Sequence, residues 1–206
     1  MPADLVQETI ALRGDALEIL RPRDSEALID DRAFAEEDEF LPYWAELWPS
    51  GVALARALDG RALRGATVLE LGCGLGLPGI VAARAGGRVL ATDWSRAALE
   101  LLERNAEHND VALDTMVADW TRPDELLARG PFALVLAADV LYERRNVPVL
   151  LELLPRLVAP VGQILLADPG RATAETFLEL ADAEGWHRRS TPDPQRPTVV
   201  VHRLRP

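Results

Sequence analysis

The 206-residue chain is poor in cysteine, histidine and aromatics: one Cys, three His, and 5 Trp, 2 Tyr and 4 Phe. A single cysteine, Cys73, excludes an internal disulfide and suits a reducing compartment, so a cytoplasmic location is expected. His108, His187 and His202 are scattered without metal-ligand spacing, and no metal is expected. No apolar run approaches the length of a membrane span, and the acidic start (Asp4, Glu8) is not that of a secretory signal. Positive charge is also short, with 22 basic against 33 acidic side chains and a net charge of −11. That balance argues against a nucleic-acid partner, which needs clustered cations, and favours a basic partner surface. A monomer without membrane attachment is expected. The 49% apolar and 27% charged content is ordinary for a soluble globular protein, and the length suits one substantial core.

What is present is organised around Val68-Leu69-Glu70-Leu71-Gly72-Cys73-Gly74-Leu75-Gly76-Leu77-Pro78-Gly79. The apolar run reads as a buried parallel strand. The alternating glycines Gly72, Gly74 and Gly76 permit a tight turn and close approach to a ligand, and Pro78 suits the first turn of a helix. Strand, glycine loop and helix together open a nucleotide-binding α/β fold. Gly74 to Gly79 also satisfies G-x-G-x-x-G, with Asp93 nineteen residues after Gly74, so a dinucleotide enzyme is one reading. Glu70 favours another: a carboxylate at the strand end repels pyrophosphate and suits a ligand carrying an ammonium and a sulfonium. S-adenosylmethionine is such a ligand.

Further strand ends carry acids and aromatics. Arg88 to Asp93 is a strand whose terminal carboxylate suits the two hydroxyls of a ribose, with Trp94 offering a face for adenine. Ser95 caps an amphipathic helix to Glu107. Thr115 to Trp120 is a third strand; its Asp119 suits the adenine amino group and its Trp120 the ring. Phe132 to Ala138, wholly apolar, is a central buried strand opening into Asp139-Val140-Leu141-Tyr142. Ligands in such sheets lie beyond the carboxyl ends of the strands, so Asp139 and Tyr142 face the chemistry. Gln163 to Ala167 is a fifth strand, and the Pro-Gly turn after it places Asp168 and Arg171 on the same rim. Trp186 to Ser190 and Thr198 to Leu204 read as a closing antiparallel pair, and Pro192 to Pro197 as a mobile link. Helices are expected over residues 51–58, 80–85, 123–128, 146–157 and 173–184. The sum is a Rossmann-like, doubly wound seven-stranded sheet with an antiparallel last strand.

Ahead of this unit (residues 41–206), residues 1–40 form an appendage. Leu5 to Leu20 alternates apolar and polar residues around Gly14-Asp15, which reads as a β-hairpin. Asp24 or Ser25 suits the cap of a short helix to about Asp31, and Glu36 to Glu39 a solvated loop. The run Leu41-Pro42-Tyr43-Trp44-Ala45-Glu46-Leu47-Trp48-Pro49 gathers three large aromatics, more than core packing needs, and at least one ring is expected to face a flat or cationic ligand.

Pro42-Tyr43-Trp44-Ala45-x-x-Trp48-Pro49, the glycine motif, Asp139-Val140-Leu141-Tyr142 and Asp168-Pro169-Gly170-Arg171 together resemble methyltransferase family 16, within the class I seven-strand lysine methyltransferases. Within it the first and last of these segments are most similar to the electron-transfer-flavoprotein β-subunit lysine methyltransferases and their bacterial relatives. The match runs from about Pro42 to the C-terminus and leaves the hairpin without a counterpart. The resemblance implies an S-adenosylmethionine-dependent protein-lysine N-methyltransferase, with that flavoprotein subunit or ribosomal protein L7/L12 as protein partner. It implies that Trp48, Gly72, Asp93, Trp120 and Ala138 contact the cofactor and that Asp139 and Tyr142 belong to the catalytic signature. Glu70 then serves the cofactor's ammonium end, and Trp44 and Tyr142 line a dry lysine channel. Asp139 binds and aims the amine; proton removal by water or by Asp139 itself stays open. The alternatives are an N-methyltransferase acting on a small amine or pyridine, and an S-adenosylmethionine-binding protein without catalysis. The chain lacks the Asn/Asp-Pro-Pro-Tyr/Phe run of nucleic-acid amino-methyltransferases.

Overall fold

A computed structural model describes residues 4–13, 16–25, 28 and 42–206. Seven strands form one sheet: β3 (Thr67–Leu71), β4 (Arg88–Asp93), β5 (Asp114–Val117), β6 (Phe132–Ala138), β7 (Val158–Asp168), β8 (His187–Pro192) and β9 (Val200–Arg205). Their order is β5-β4-β3-β6-β7-β9-β8. Only β9 runs against its neighbours, inserted between β7 and β8. The order reverses between β3 and β6, so the crevice beyond their carboxyl ends is the expected ligand position.

Strand alternation divides the interior into two cores. Val68, Leu134, Leu136 and Leu165 point to one face, covered by α1 (Pro49–Leu58), α2 (Leu77–Arg84) and α3 (Arg96–His108). Leu69, Leu71, Val135 and Ile164 point to the other, beneath α4 (Asp124–Arg129), α5 (Asn146–Leu157) and α6 (Ala172–Ala183). The all-apolar Phe132–Ala138 run needs both covers, which is why it became the central strand.

The hairpin β1 (Leu5–Ala11) and β2 (Ala16–Pro22) forms as expected, and Leu17 and Ile19 bury against the first core. The open edge of β2 is satisfied by side chains. Asn105 and Asn109 of α3 accept the amides of Leu20 and Glu18 and donate to the carbonyls of the same residues. Both asparagines are buried, so these bonds replace the missing third strand. The Gly14-Asp15 turn, all of the short helix after Ser25 except Leu28, and the acidic loop lie outside the described residues.

Two expectations about the chain are corrected. The third strand ends at Val117, three residues early, because the Asp119 carboxylate takes the Thr121 amide and starts a turn. The Pro-rich link is organised rather than mobile. Asp193 is buried, bonded to Arg56 (3.1 Å) and to the Arg196 amide, while its own amide donates to Val199.

Among the described residues no helix is long and apolar enough to cross a membrane, and no three His, Cys, Asp or Glu side chains gather as metal ligands. His202 on β9 is buried beside the Ser190 hydroxyl, Oγ to Nδ1 2.8 Å. Burial, with Arg188 nearby, pushes its pKa down to about 4. The unfolded chain therefore binds a proton that the folded chain refuses, and stability is lost as pH falls from about 6.5 towards 4. His202→Gln should flatten that part of a melting-temperature profile; identical wild-type and variant slopes would contradict it.

Candidate active site

The glycine loop is built by three left-handed residues. Gly72, Gly74 and Gly76 have φ of 61°, 50° and 81°. A Cβ on Gly72 would meet Val140 Cγ1 at 3.2 Å and Trp120 Cζ2 at 3.5 Å; one on Gly74 would meet the Trp44 carbonyl at 3.1 Å. Both glycines thus lie in a cradle that a side chain would fill, and both remain partly exposed. Gly76 is different. It is buried, and a Cβ there would fall 1.7 Å from Leu102 Cδ1 of α3. A bare Cα there lets the start of α2 approach α3.

Glu70 is also repositioned. α2 starts at Gly76 without any side-chain cap. The Glu70 carboxylate, reaching across from β3, accepts the Gly79 amide at 3.0 Å instead. It is only 2% exposed, and burial, with Asp93 nearby, pushes its pKa up to about 8. Glu70 is therefore largely a neutral carboxyl at pH 7 beneath the loop, rather than an open carboxylate in front of it. The folded chain holds a proton that the unfolded chain releases above about 4.5, so stability falls as pH rises from about 4.5 to 8. Glu70→Gln should gain stability relative to wild type across that window, read as melting temperature without ligand. Parallel curves would contradict the assignment.

Asp93 closes β4 and holds the same loop. Its Oδ2 accepts the Gly74 amide (3.0 Å) and its Oδ1 the Ser95 amide (2.9 Å). Burial raises its pKa against the pull of those amides. Asp93 is close enough to raise Glu70, Cys73 and Tyr142 as well, so these groups share one region. Cys73 is buried and pushed well up, first by desolvation, which leaves an inert thiol. Trp94, next to Asp93, is 47% exposed. Asp119 stands apart. Both its oxygens are engaged in its own turn, Oδ1 by Thr121 and Oδ2 by Arg122 at 2.9 Å, and these bonds hold its pKa down. Trp120, half-buried over Gly72, is the member of that pair that reaches the loop.

Asp139 follows β6 with φ 59°, in the left-handed region that Asp tolerates better than most residues. Its amide donates to the Ala167 carbonyl, tying it to β7. The carboxylate is 7% exposed and doubly held: Arg171 Nε donates to Oδ1 at 2.6 Å and Ser50 Oγ to Oδ2 at 3.3 Å. Ala138, one residue earlier, is half-buried. The open rim expected of Asp168 and Arg171 is corrected accordingly. Asp168 is 1% exposed, its Oδ1 accepting the Gly170 and Arg171 amides, and its buried Oδ2 has no partner. The turn so formed aims Arg171 at Asp139, not outwards.

Tyr142 is 41% exposed and Tyr43 45%, their rings 5.7 Å apart; Tyr43 also meets Trp48 edge-on at 6.3 Å. Trp48 donates its indole N–H to the Tyr43 carbonyl. Burial, then Glu143 and Asp93, keep the Tyr142 phenol protonated above its usual range. Of the aromatic run it is Tyr43, not Trp44, that stands beside Tyr142. A single 3-10 turn over Tyr43–Ala45 sends Trp44 against the core with its carbonyl over Gly74. Sequence reasoning named Tyr43 only as one of three aromatics and missed Ser50. The serine had no signal, since it reads simply as an early residue of α1.

A glycine turn after β3, an acid closing β4, and a reversed strand inserted beside β7 define a Rossmann-like class I methyltransferase. The solved structure of a TehB-like S-adenosylmethionine-dependent methyltransferase from Corynebacterium glutamicum shares the fold, with a TM-score of 0.59 at 20% identity over 84% of this chain and 90% of that one. A profile described as lysine methyltransferase matches residues 35–184, and the chain belongs to that family of S-adenosylmethionine-dependent N-methyltransferases. It is 37% identical over 138 residues to the electron transfer flavoprotein beta subunit lysine methyltransferase of Xenopus laevis, covering 64% of this chain and 54% of that enzyme. It is 38% identical over 160 residues to the protein N-lysine methyltransferase METTL21A of Mus musculus, covering 74% and 73%. The chain thus spans about half the length of the frog relative.

Proposed function

We propose that this protein methylates the ε-nitrogen of a lysine on a protein partner, acting as a monomer in the cytoplasm. The observation that carries the reading is the pair of exposed phenols, Tyr43 and Tyr142, the second of them three residues after the buried, ion-paired Asp139. S-adenosylmethionine supplies an electrophilic methyl group on a sulfonium. The residues present fit it: Gly72 and Gly74 keep the loop bare of side chains and partly exposed, Asp93 offers a carboxylate beside the loop, and Trp94 and Trp120 offer flat faces. Asp93, Trp48, Gly72, Gly74, Trp94, Trp120 and Ala138 would hold it, with Asp119 at the outer edge and Glu70 supporting the loop from below.

A lysine near its usual pKa of about 10.4 is almost wholly ammonium at neutral pH. The two phenol faces attract that cation, and removal from water favours its neutral form. Asp139 aims the amine through its fixed carboxylate, while Arg171 and Ser50 fix Asp139 rather than touching substrate. Orientation is the main contribution, because the methyl donor is already reactive. The partner carries a basic patch that complements the net charge of −11; the electron transfer flavoprotein β subunit and ribosomal protein L7/L12 are the first candidates.

The test is transfer of radiolabelled methyl into a host lysate, followed by hydrolysis of the labelled band. All 22 basic residues of this chain are arginine, so labelled lysine cannot come from self-methylation. Methyllysine in a discrete protein band supports the reading. Label in methylarginine, or only in the small-molecule fraction, overturns it.

A further inference from the structure

A second cavity, of about 680 Å³, opens between α1, the β8–β9 pair and the end of β1. That size falls within the roughly 300–1,000 Å³ of small-molecule sites. It lies beyond the second turn of α1, whereas Ser50, which holds Asp139, is in the first. Five arginines line it, Arg13, Arg56, Arg61, Arg189 and Arg203, in a chain whose net charge is −11.

The two acids on its wall are already committed. Asp193 is buried against Arg56 and also accepts the Arg196 amide. Asp59 accepts the backbone amide of Arg13. Five arginines against these two aspartates leave a surplus of three positive charges. Among the described residues, Arg13, Arg61, Arg189 and Arg203 make no ion pair.

Arg13, Arg189 and Arg203 are exposed, Arg56 and Arg61 are half-buried, and two observations mark the half-buried pair. The buried Nε of Arg56 has no hydrogen-bond partner. Arg61, held by Nε on the Ala57 carbonyl at 3.0 Å, faces Arg203; burial first, and that like charge second, lower its pKa. A half-buried guanidinium on a cavity wall with four further guanidiniums suits an anion with several acceptor oxygens. Beside them the wall is apolar, with Ala53, Ala57, Leu165 and Val201.

We propose that this cavity is a binding site for a small phosphorylated organic molecule, its phosphoryl group between Arg61 and Arg203 and its apolar body on Ala53, Ala57, Leu165 and Val201. A phosphoryl dianion offers three oxygens to the guanidinium forks, and a concave wall of this volume suits a compact ligand better than an extended acidic segment. The site is independent of the methyl-transfer reading.

Calorimetric titration of the full chain with phenyl phosphate and with pyrophosphate tests it, with a hexaglutamate peptide as the third arm. The expected result is saturable phenyl phosphate binding, at least tenfold weaker in Arg61→Ala and in Arg203→Ala and unchanged in Arg156→Ala on the solvent face of α5. Because Arg203→Ala relieves a like-charge contact, its melting temperature should equal or exceed wild type, which separates lost binding from lost folding. Pyrophosphate binding without phenyl phosphate binding removes the apolar half of the site and overturns the proposal. So does hexaglutamate binding more tightly than phenyl phosphate, which would make the cavity an anchor for an acidic protein segment. Absence of saturable binding in all three arms also overturns it.

Discussion

Asp139→Asn should lower kcat by about 10²–10³-fold, the scale lost when a reacting group is misplaced or a fixed charge removed. The dissociation constant for S-adenosylmethionine should stay within about threefold, because the glycine loop's Gly74 and Gly79 amides are held by the carboxylates of Asp93 and Glu70, not by Asp139. Asparagine is the right probe because the φ of 59° is one it accepts, whereas alanine would add backbone strain of about 1–2 kcal/mol. Equal losses in turnover and cofactor affinity would refute the assignment of Asp139 to the amine.

Arg171→Ala separates orientation from charge. It leaves the nearly buried Asp139 without its counter-ion, and full burial would make that cost about 3–5 kcal/mol. Arg171 is one-third exposed, so water screens part of the cost and about 2 kcal/mol is expected. Adding Asp139→Asn to Arg171→Ala should recover stability without recovering turnover. A double variant less stable than Arg171→Ala would show that the pair is not the unit described.

Gly76→Ala should cost the fold most. The new methyl would lie 1.7 Å from Leu102 Cδ1 and 2.9 Å from its Cγ, and Leu102 is fully buried, with no free space to move into. The residue must also hold φ at 81°. Overpacking of about 1–3 kcal/mol and left-handed strain of about 1–2 kcal/mol add to a loss of roughly 2–5 kcal/mol by chemical denaturation. Pairing it with Leu102→Ala should return part of that loss, giving a favourable coupling in a double-mutant cycle. Simple additivity would mean that the glycine is required for its backbone alone. By contrast Gly74→Ala, 3.1 Å from the Trp44 carbonyl, acts on the ligand cradle.

The architecture was legible wherever local sequence and burial agree. Phe132 to Ala138 and Asn146 to Leu157 start and stop where patterning places them, because an unbroken apolar run and a strongly amphipathic one each have one stable use. The glycine spacing was equally plain, since positive φ leaves little choice of residue. Where a side chain competes with the backbone the reading failed. Asp119 ended its strand early, and Asp193 turned a Pro-rich link into an anchored turn, both through carboxylate-to-amide bonds.

The sequence by itself determined that a glycine loop follows a buried strand, that Asp93 closes the next strand, and that Asp139 and Tyr142 follow the end of the central strand. Only the tertiary structure decided which groups those acids meet. It turned Glu70 under the loop to cap α2, joined Arg171 and Ser50 to Asp139, and set Tyr43 rather than Trp44 beside Tyr142. The reason is physical. Patterning assigns a residue to a face through local periodicity, whereas the partner of a buried charge is chosen by contacts between segments far apart in the chain, 89 residues for Ser50 and Asp139 and 137 for Arg56 and Asp193.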